Sequence, residues 1–168
     1  MAIAAKLRPR LRRIRLLALD LDGVLTDGGL YYTDSGEELR KFNVKDGLGL
    51  KMAMERGIEV AIITSSISPA IGHRAARLGI RHVFLGTWDK LAAVTALCAQ
   101  LEIELAETAY VSDDVNDLPV LAAVGLPIAV ADAVAAVRRA ALLVTKAAGG
   151  KGAVREVCDL LLAARASL

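Results

Sequence analysis

Aromatic side chains are scarce: Phe, Trp and Tyr make up 4% of the 168 residues. A surface that stacks nucleic-acid bases depends on such rings, so a nucleic-acid partner is disfavoured. Cysteine is equally sparse. Cys98 in LAAVTALCAQL and Cys158 in AVREVCDLLL lie far apart, with no His or Cys at metal-ligand spacing; they read as core thiols rather than a disulfide or a zinc site. His73 and His82 have no evident partner in the sequence. No apolar run approaches the roughly 20 residues needed to span a bilayer, and the stretch from Ile14 to Leu19 is too short for a signal-peptide core. A cytoplasmic protein without a membrane partner is therefore expected. Repeats, low-complexity tracts and linkers are missing too, which leaves a single domain.

What is present is a chain with 55% hydrophobic residues, mostly Ala, Val, Ile and Leu, enough to bury one substantial core. Its charge is unevenly placed. Lys6, Arg8, Arg10, Arg12, Arg13 and Arg15 precede any acidic residue; setting those six aside from 21 leaves 15 basic against 19 acidic residues, a net of −4 for the remainder. Residues 1–13 read as a basic, solvated arm, and no separable amphipathic segment suggests an import signal. Residues 14–168 read as the domain.

From Ile14 onward, short apolar runs alternate with helical periodicity. IRLLALD, VAIITS, HVFLG, AYVSDD, PIAVA and LLVTK are continuously apolar, as strands buried on both faces are. Between and after them the spacing predicts helices over 46–56, 68–78, 90–101, 116–123, 134–141 and 152–164, several stopped by glycine, as at Gly57, Gly79 and Gly125. Alternation of this kind predicts an α/β fold with a doubly wound, mostly parallel sheet. One segment breaks the pattern. In GGLYYTDSGEELRKFN, from Gly28 to Asn43, the turn residues at 33–36 separate two strand-like arms, an inserted β-hairpin.

Open α/β sheets bind ligands beyond the carboxyl ends of their strands, and the polar residues fall there. Asp20 and Asp22 follow the first strand in DLDGVLTD, Thr64 and Ser65 the second, and Lys90 the third. Ser112-Asp113-Asp114-Val115-Asn116-Asp117 follows AYV. The spacing in DLDGVLTD excludes a calcium EF-hand loop. Taken singly these residues suit turns and helix caps; together they suit phosphoryl transfer. A carboxylate approaching a phosphate dianion is repelled, so the site needs fixed positive charge to offset both. Lys90 and a Mg2+ ion supply it in this reading. Asp20 is the nucleophile, Asp22 protonates the leaving alkoxide and then activates water, and Thr64 donates to a phosphoryl oxygen. Asp20, Asp22 and Asp113 hold the metal, with Asp114 and Asp117 behind them. A phosphoacceptor signalling module shares clustered aspartates, a Thr and a Lys on such a sheet, but it needs no leaving-group acid at the second aspartate. A catalytically dead scaffold fits poorly with a complete set of catalytic groups. Gly47-Leu48-Gly49 and GGKGA match no nucleotide-binding loop; both read as turns, the second as a candidate subunit contact.

These positions resemble the four motifs of the haloacid dehalogenase-like phosphatases: DxDGxxT, a Thr or Ser, a Lys and DDxxD. The resemblance covers nearly the whole chain after the basic arm. DGVLTDGGLYY, FNVKDGLGLK, AYVSDDVNDLPVL and GGKGAVREVCDLLL narrow it to the branch that dephosphorylates 3-deoxy-D-manno-octulosonate 8-phosphate, a step of lipopolysaccharide biosynthesis. A branch acting on nine-carbon keto-acid sugars is the alternative. The resemblance implies a Rossmann-like core with no cap domain and a homotetramer built through the hairpins, each site covered by a neighbouring copy. It implies substrate contacts at Asn43, Val44, Lys45, Asp46, Gly47, Lys51, Ser65, Ser66 and Arg74. Two departures stand out: Ser65-Ser66 replaces the family's Gly-Arg after the motif threonine, and Ser112 replaces a Gly. The absent arginine is the one expected to face the sugar's carboxylate.

Overall fold

A computed structural model describes residues 2–166. Eight strands and seven α-helices follow in order: α1 (Ala2–Arg13), β1 (Leu16–Leu19), β2 (Tyr31–Tyr32), β3 (Glu38–Leu39), α2 (Val44–Glu55), β4 (Glu59–Ile63), α3 (Pro69–Leu78), β5 (His82–Phe84), α4 (Lys90–Leu101), β6 (Thr108–Ser112), α5 (Leu118–Ala123), β7 (Leu126–Ala129), α6 (Ala135–Ala140), β8 (Leu143–Val144) and α7 (Ala153–Arg165). The expected helices and strands are all present, with ends shifted by a few residues. Helix α2 begins two residues early because Asn43 caps it, its Oδ1 accepting from the Lys45 N–H at 2.8 Å.

The main sheet runs β5-β4-β1-β6-β7-β8, and every neighbouring pair is parallel. Strand β1 lies at its centre. Each of its four residues is fully buried, between Glu59–Ile62 on one side and Thr108–Val111 on the other, which is why the run is apolar throughout. The chain leaves β1 first toward β4 and β5 and later returns to build β6, β7 and β8 on the other side. The crevice where the direction reverses opens beyond the carboxyl end of β1. Helices α1, α2 and α7 pack together, as do α4, α5 and α6. The hairpin strands β2 and β3 pair antiparallel in a separate two-stranded sheet, Tyr31 opposite Leu39 and Tyr32 opposite Glu38, and a bridge from Thr26 to Phe42 closes its root.

The basic arm is not a solvated tail. It forms α1, whose Leu11 is buried and whose Leu7 packs on the core, while Arg10 donates to the Gly125 carbonyl at 2.9 Å. The stripe that does this is Leu7, Leu11 and Ile14, the i, i+4, i+7 spacing of an inward helix face; the intervening arginines hide it.

Candidate active site

Asp20 follows β1 directly, its N–H bonded to the Val111 carbonyl at 3.0 Å, and its side chain is almost wholly buried. Lys90 opens α4, where the helix dipole disfavours a cation. It is tolerated because its ammonium sits between two carboxylates, 2.8 Å from Asp20 Oδ1 and 2.8 Å from Asp117 Oδ1. Burial lowers the lysine's proton affinity, but Asp20 and Asp117 together outweigh it, and the net shift is upward. Tyr110, fully buried on β6, lies against the same pair.

A single ammonium among three aspartates leaves excess negative charge. Burial first, with Asp117 adding, lifts Asp20 to about 6 against the pull of Lys90. Burial, then Asp20, Asp114 and Asp117, lift Asp113 to about 7. Asp113 is brought against the first loop because residue 23 is glycine: at φ +80° it has no Cβ, and one added there would collide with the Asp113 carboxylate. Two raised carboxylates that share a crevice suit a divalent cation. Among the described residues no group of three His, Cys, Asp or Glu side chains forms a metal centre, so protein carboxylates alone supply only part of a shell. That is the usual situation for magnesium, which keeps waters and takes phosphate oxygens.

Asp22 is placed differently from the expectation of a carboxylate ligand. Its side chain is gripped by Arg40, Nε to Oδ1 at 2.8 Å and Nη2 to Oδ2 at 3.3 Å. The same guanidinium donates from Nη2 to Ser66 Oγ at 2.9 Å and pairs through Nη1 with Glu38. Arg40 is absent from the expected set. Its signal was a basic residue in GEELRKF, two positions past Glu38 on the returning arm of the hairpin. It also bears on the missing arginine, since a guanidinium already lies beside Ser66, delivered from the hairpin.

Thr64, directly after β4, is buried, and its Oγ1 accepts from the Ser66 N–H at 3.1 Å. Thr26, the last residue of DxDGxxT, accepts from Gly23 and Gly28 at 3.2 Å each and folds the loop. Ser65 is half-buried.

The remaining expected residues divide. Val44, Lys45 and Lys51 are exposed on α2. Asn43 joins its cap to the far loop by donating from Nδ2 to the Gly150 carbonyl at 3.2 Å. Arg74 donates to the Asn43 carbonyl at 3.2 Å and lies 5.6 Å over the Phe42 ring, passing where Gly47 has no side chain. Asp46 turns inward instead. It is 1% exposed and accepts the Arg155 N–H at 2.8 Å, so it caps α7 rather than facing a substrate. Asp114 likewise acts locally, accepting the Val115 N–H at 2.7 Å. GGKGA packs within its own chain: Gly150 N–H donates to the Val24 carbonyl at 3.0 Å, and any side chain at Gly149 would strike the Gly23 backbone.

Residues 76–157 match the model of the haloacid dehalogenase-like hydrolases. Over 166 residues the chain is 48% identical to 3-deoxy-D-manno-octulosonate 8-phosphate phosphatase KdsC of Escherichia coli, covering 99% of this chain and 88% of that one. Among solved structures, a probable YrbI family phosphatase from Pseudomonas syringae superposes with a TM-score of 0.94 at 44% identity, covering 98% of this chain and 93% of the other. The 3-deoxy-D-manno-octulosonate 8-phosphate phosphatase of Moraxella catarrhalis, solved with magnesium, phosphate and KDO, gives 0.94 at 40% identity over 96% and 92%. Fold, site and these likenesses define a phosphoric monoester hydrolase of the haloacid dehalogenase type. The chain belongs to the 3-deoxy-D-manno-octulosonate 8-phosphate phosphatase family within it.

Proposed function

We propose that this enzyme hydrolyses 3-deoxy-D-manno-octulosonate 8-phosphate, with magnesium, through a phosphorylated Asp20. The observation that carries the reading is the buried Asp20–Lys90–Asp117 array at the switch point of the sheet. The substrate follows from the near full-length likeness to KdsC.

Asp20 and Asp113, the two raised carboxylates at the crevice, would hold magnesium, which would supply positive charge against the phosphoryl oxygens. Asp20 Oδ attacks phosphorus in line, and the bond from phosphorus to the sugar oxygen breaks. Asp22 gives its proton to that oxygen, then takes one from the water that attacks the aspartyl-phosphate, so inorganic phosphate leaves and Asp20 is restored. Lys90 stays charged beside Asp20 throughout and balances the transferring group. Thr64 donates its hydroxyl proton to a phosphoryl oxygen. Asp117 fixes the Lys90 ammonium. Ser65, Asn43 and Gly47, with Val44, Lys45, Lys51 and Arg74, form the rim toward the sugar. The hairpin exposes Leu30, Tyr31, Tyr32 and Leu39, an apolar edge that a second copy would cover. A homotetramer closed through it completes each site, and a cytoplasmic location suits the reaction.

Asp20→Asn tests the mechanism. Its amide is nearly isosteric but a poor nucleophile, so turnover of the octulosonate phosphate vanishes while the circular dichroism spectrum is kept, and no acid-stable phosphoprotein forms on rapid quench. Wild-type-like steady-state rates in that variant remove the covalent route. Phosphate release from nine-carbon keto-acid phosphates, compared in the same assay, separates the alternative substrate.

A further inference from the structure

We propose that Arg40 is a positioning residue for Asp22, holding the acid's carboxylate in the plane and orientation from which it protonates the departing sugar oxygen. This rests on the reading of Asp22 as the general acid. The Arg40 side chain is 3% exposed whereas the Asp22 side chain is 35% exposed, so a buried side chain holds a partly open carboxylate. Nε and Nη2 engage one oxygen each, at 2.8 and 3.3 Å. Such a two-point grip fixes the carboxylate's rotation, which one donor cannot do. The two carboxyl oxygens offer about four sites, so with two taken by Arg40 one remains for the proton given to the leaving group and one for water.

The grip is itself braced. Arg40 Nη2 donates to Ser66 Oγ at 2.9 Å, Ser66 Oγ also accepts from the Ser68 N–H at 3.3 Å, and the Ser66 N–H donates to Thr64 Oγ1 at 3.1 Å. A continuous chain of bonds thus joins Thr64 to Asp22 through Ser66 and Arg40. Serine suits position 66 in this arrangement because it accepts from a guanidinium; an arginine there would face another cation. The hairpin has fastenings besides Arg40. Its root is fastened separately, by Asp27 accepting from Tyr31 at 3.1 Å and pairing with Lys41 at 3.5 Å, and by the Thr26–Phe42 bridge.

Leaving groups distinguish a positioning role from a structural one. A sugar alkoxide needs a proton as it departs, whereas p-nitrophenolate departs without one. The measurement is kcat/KM for 3-deoxy-D-manno-octulosonate 8-phosphate and for p-nitrophenyl phosphate in wild type, Asp22→Asn, Arg40→Gln and Arg40→Lys. With general acid catalysis contributing about 100-fold or more, the sugar-to-aryl ratio falls about 100-fold in Asp22→Asn and about 10-fold in Arg40→Gln. Arg40→Lys, which keeps charge but not the fork, lies between Arg40→Gln and wild type, and it carries the comparison if the Gln variant does not fold. If Asp22→Asn shifts the ratio while the Arg40 variants leave it at the wild-type value, or lower both substrates equally, Arg40 is structural and the proposal is overturned. If Asp22→Asn itself leaves the ratio unchanged, the assignment of Asp22 as acid fails, and the role of Arg40 falls with it.

Discussion

Removing the metal should make this protein less stable as pH rises from about 4 to 7, opposite to the usual trend for carboxylate-rich proteins. Asp20 and Asp113 titrate near 3.8 when solvated but at about 6 and about 7 in the folded site. The folded state then holds protons that the unfolded chain has released, so their contribution is full below the unfolded value and is lost as pH passes through the folded ones. At 1.36 kcal/mol per unit, Asp20 alone accounts for a ceiling of about 3 kcal/mol. Asp113 is more open, and screening reduces its part to about 2 kcal/mol or less. For a chain of this size each kcal/mol moves Tm by about 2–4 °C. The assay is a melting curve in chelator at pH 4.5, 6 and 7.5 for wild type, Asp20→Asn and Asp113→Asn, repeated with magnesium. Relative to wild type, Asp20→Asn gains about 4–8 °C between the lowest and highest pH and Asp113→Asn less, since about a third of the effect already lies below pH 4.5, and magnesium stabilises wild type more at pH 7.5 than at 4.5. Parallel curves for wild type and both variants, or magnesium stabilisation independent of pH, would refute the assignment of trapped negative charge to these two carboxylates.

Turnover should cease in chelator and return with magnesium, measured as phosphate release; persistence in metal-free buffer counts against the Asp20 and Asp113 assignment. Asp46→Ala removes the acceptor for the Arg155 N–H and should cost about 1 kcal/mol, or 2–4 °C in Tm, as the loss of a helix cap does; an unchanged Tm contradicts the capping role. Gly23→Ala should lose activity and about 1–3 kcal/mol of stability, because it combines positive φ with a collision at Asp113, and a wild-type kcat with normal melting excludes that constraint. Light scattering at micromolar concentration should give a multimer, and a fully active monomer rules out completion of the site by a neighbouring copy.

The sheet was legible because its strands are buried on both faces and so carry uninterrupted apolar runs. The positions of Asp20, Thr64, Lys90 and Asp113 followed from strand ends. The misreadings share a cause: they concern side chains whose roles depend on a remote partner. The family resemblance puts Asp46 at the rim, but α7, more than a hundred positions later, offers it an unsatisfied N–H. Arg40 looks like any exposed residue of a hairpin until the chain folds back and sets it between Asp22 and Ser66. The arm was hidden by its arginines, because charge dominates the reading of a segment whose apolar stripe is only three residues wide.

The seat of Gly149 and Gly150 on the first loop ties the nucleophile to the far end of the chain. Every catalytic side chain precedes that seat in the chain, so all of them are synthesised before it. The loop after β1 still lacks the backbone that closes over it. A nascent or proteolysed chain ending before Gly149 is therefore expected to be complete in chemical groups yet silent as a catalyst.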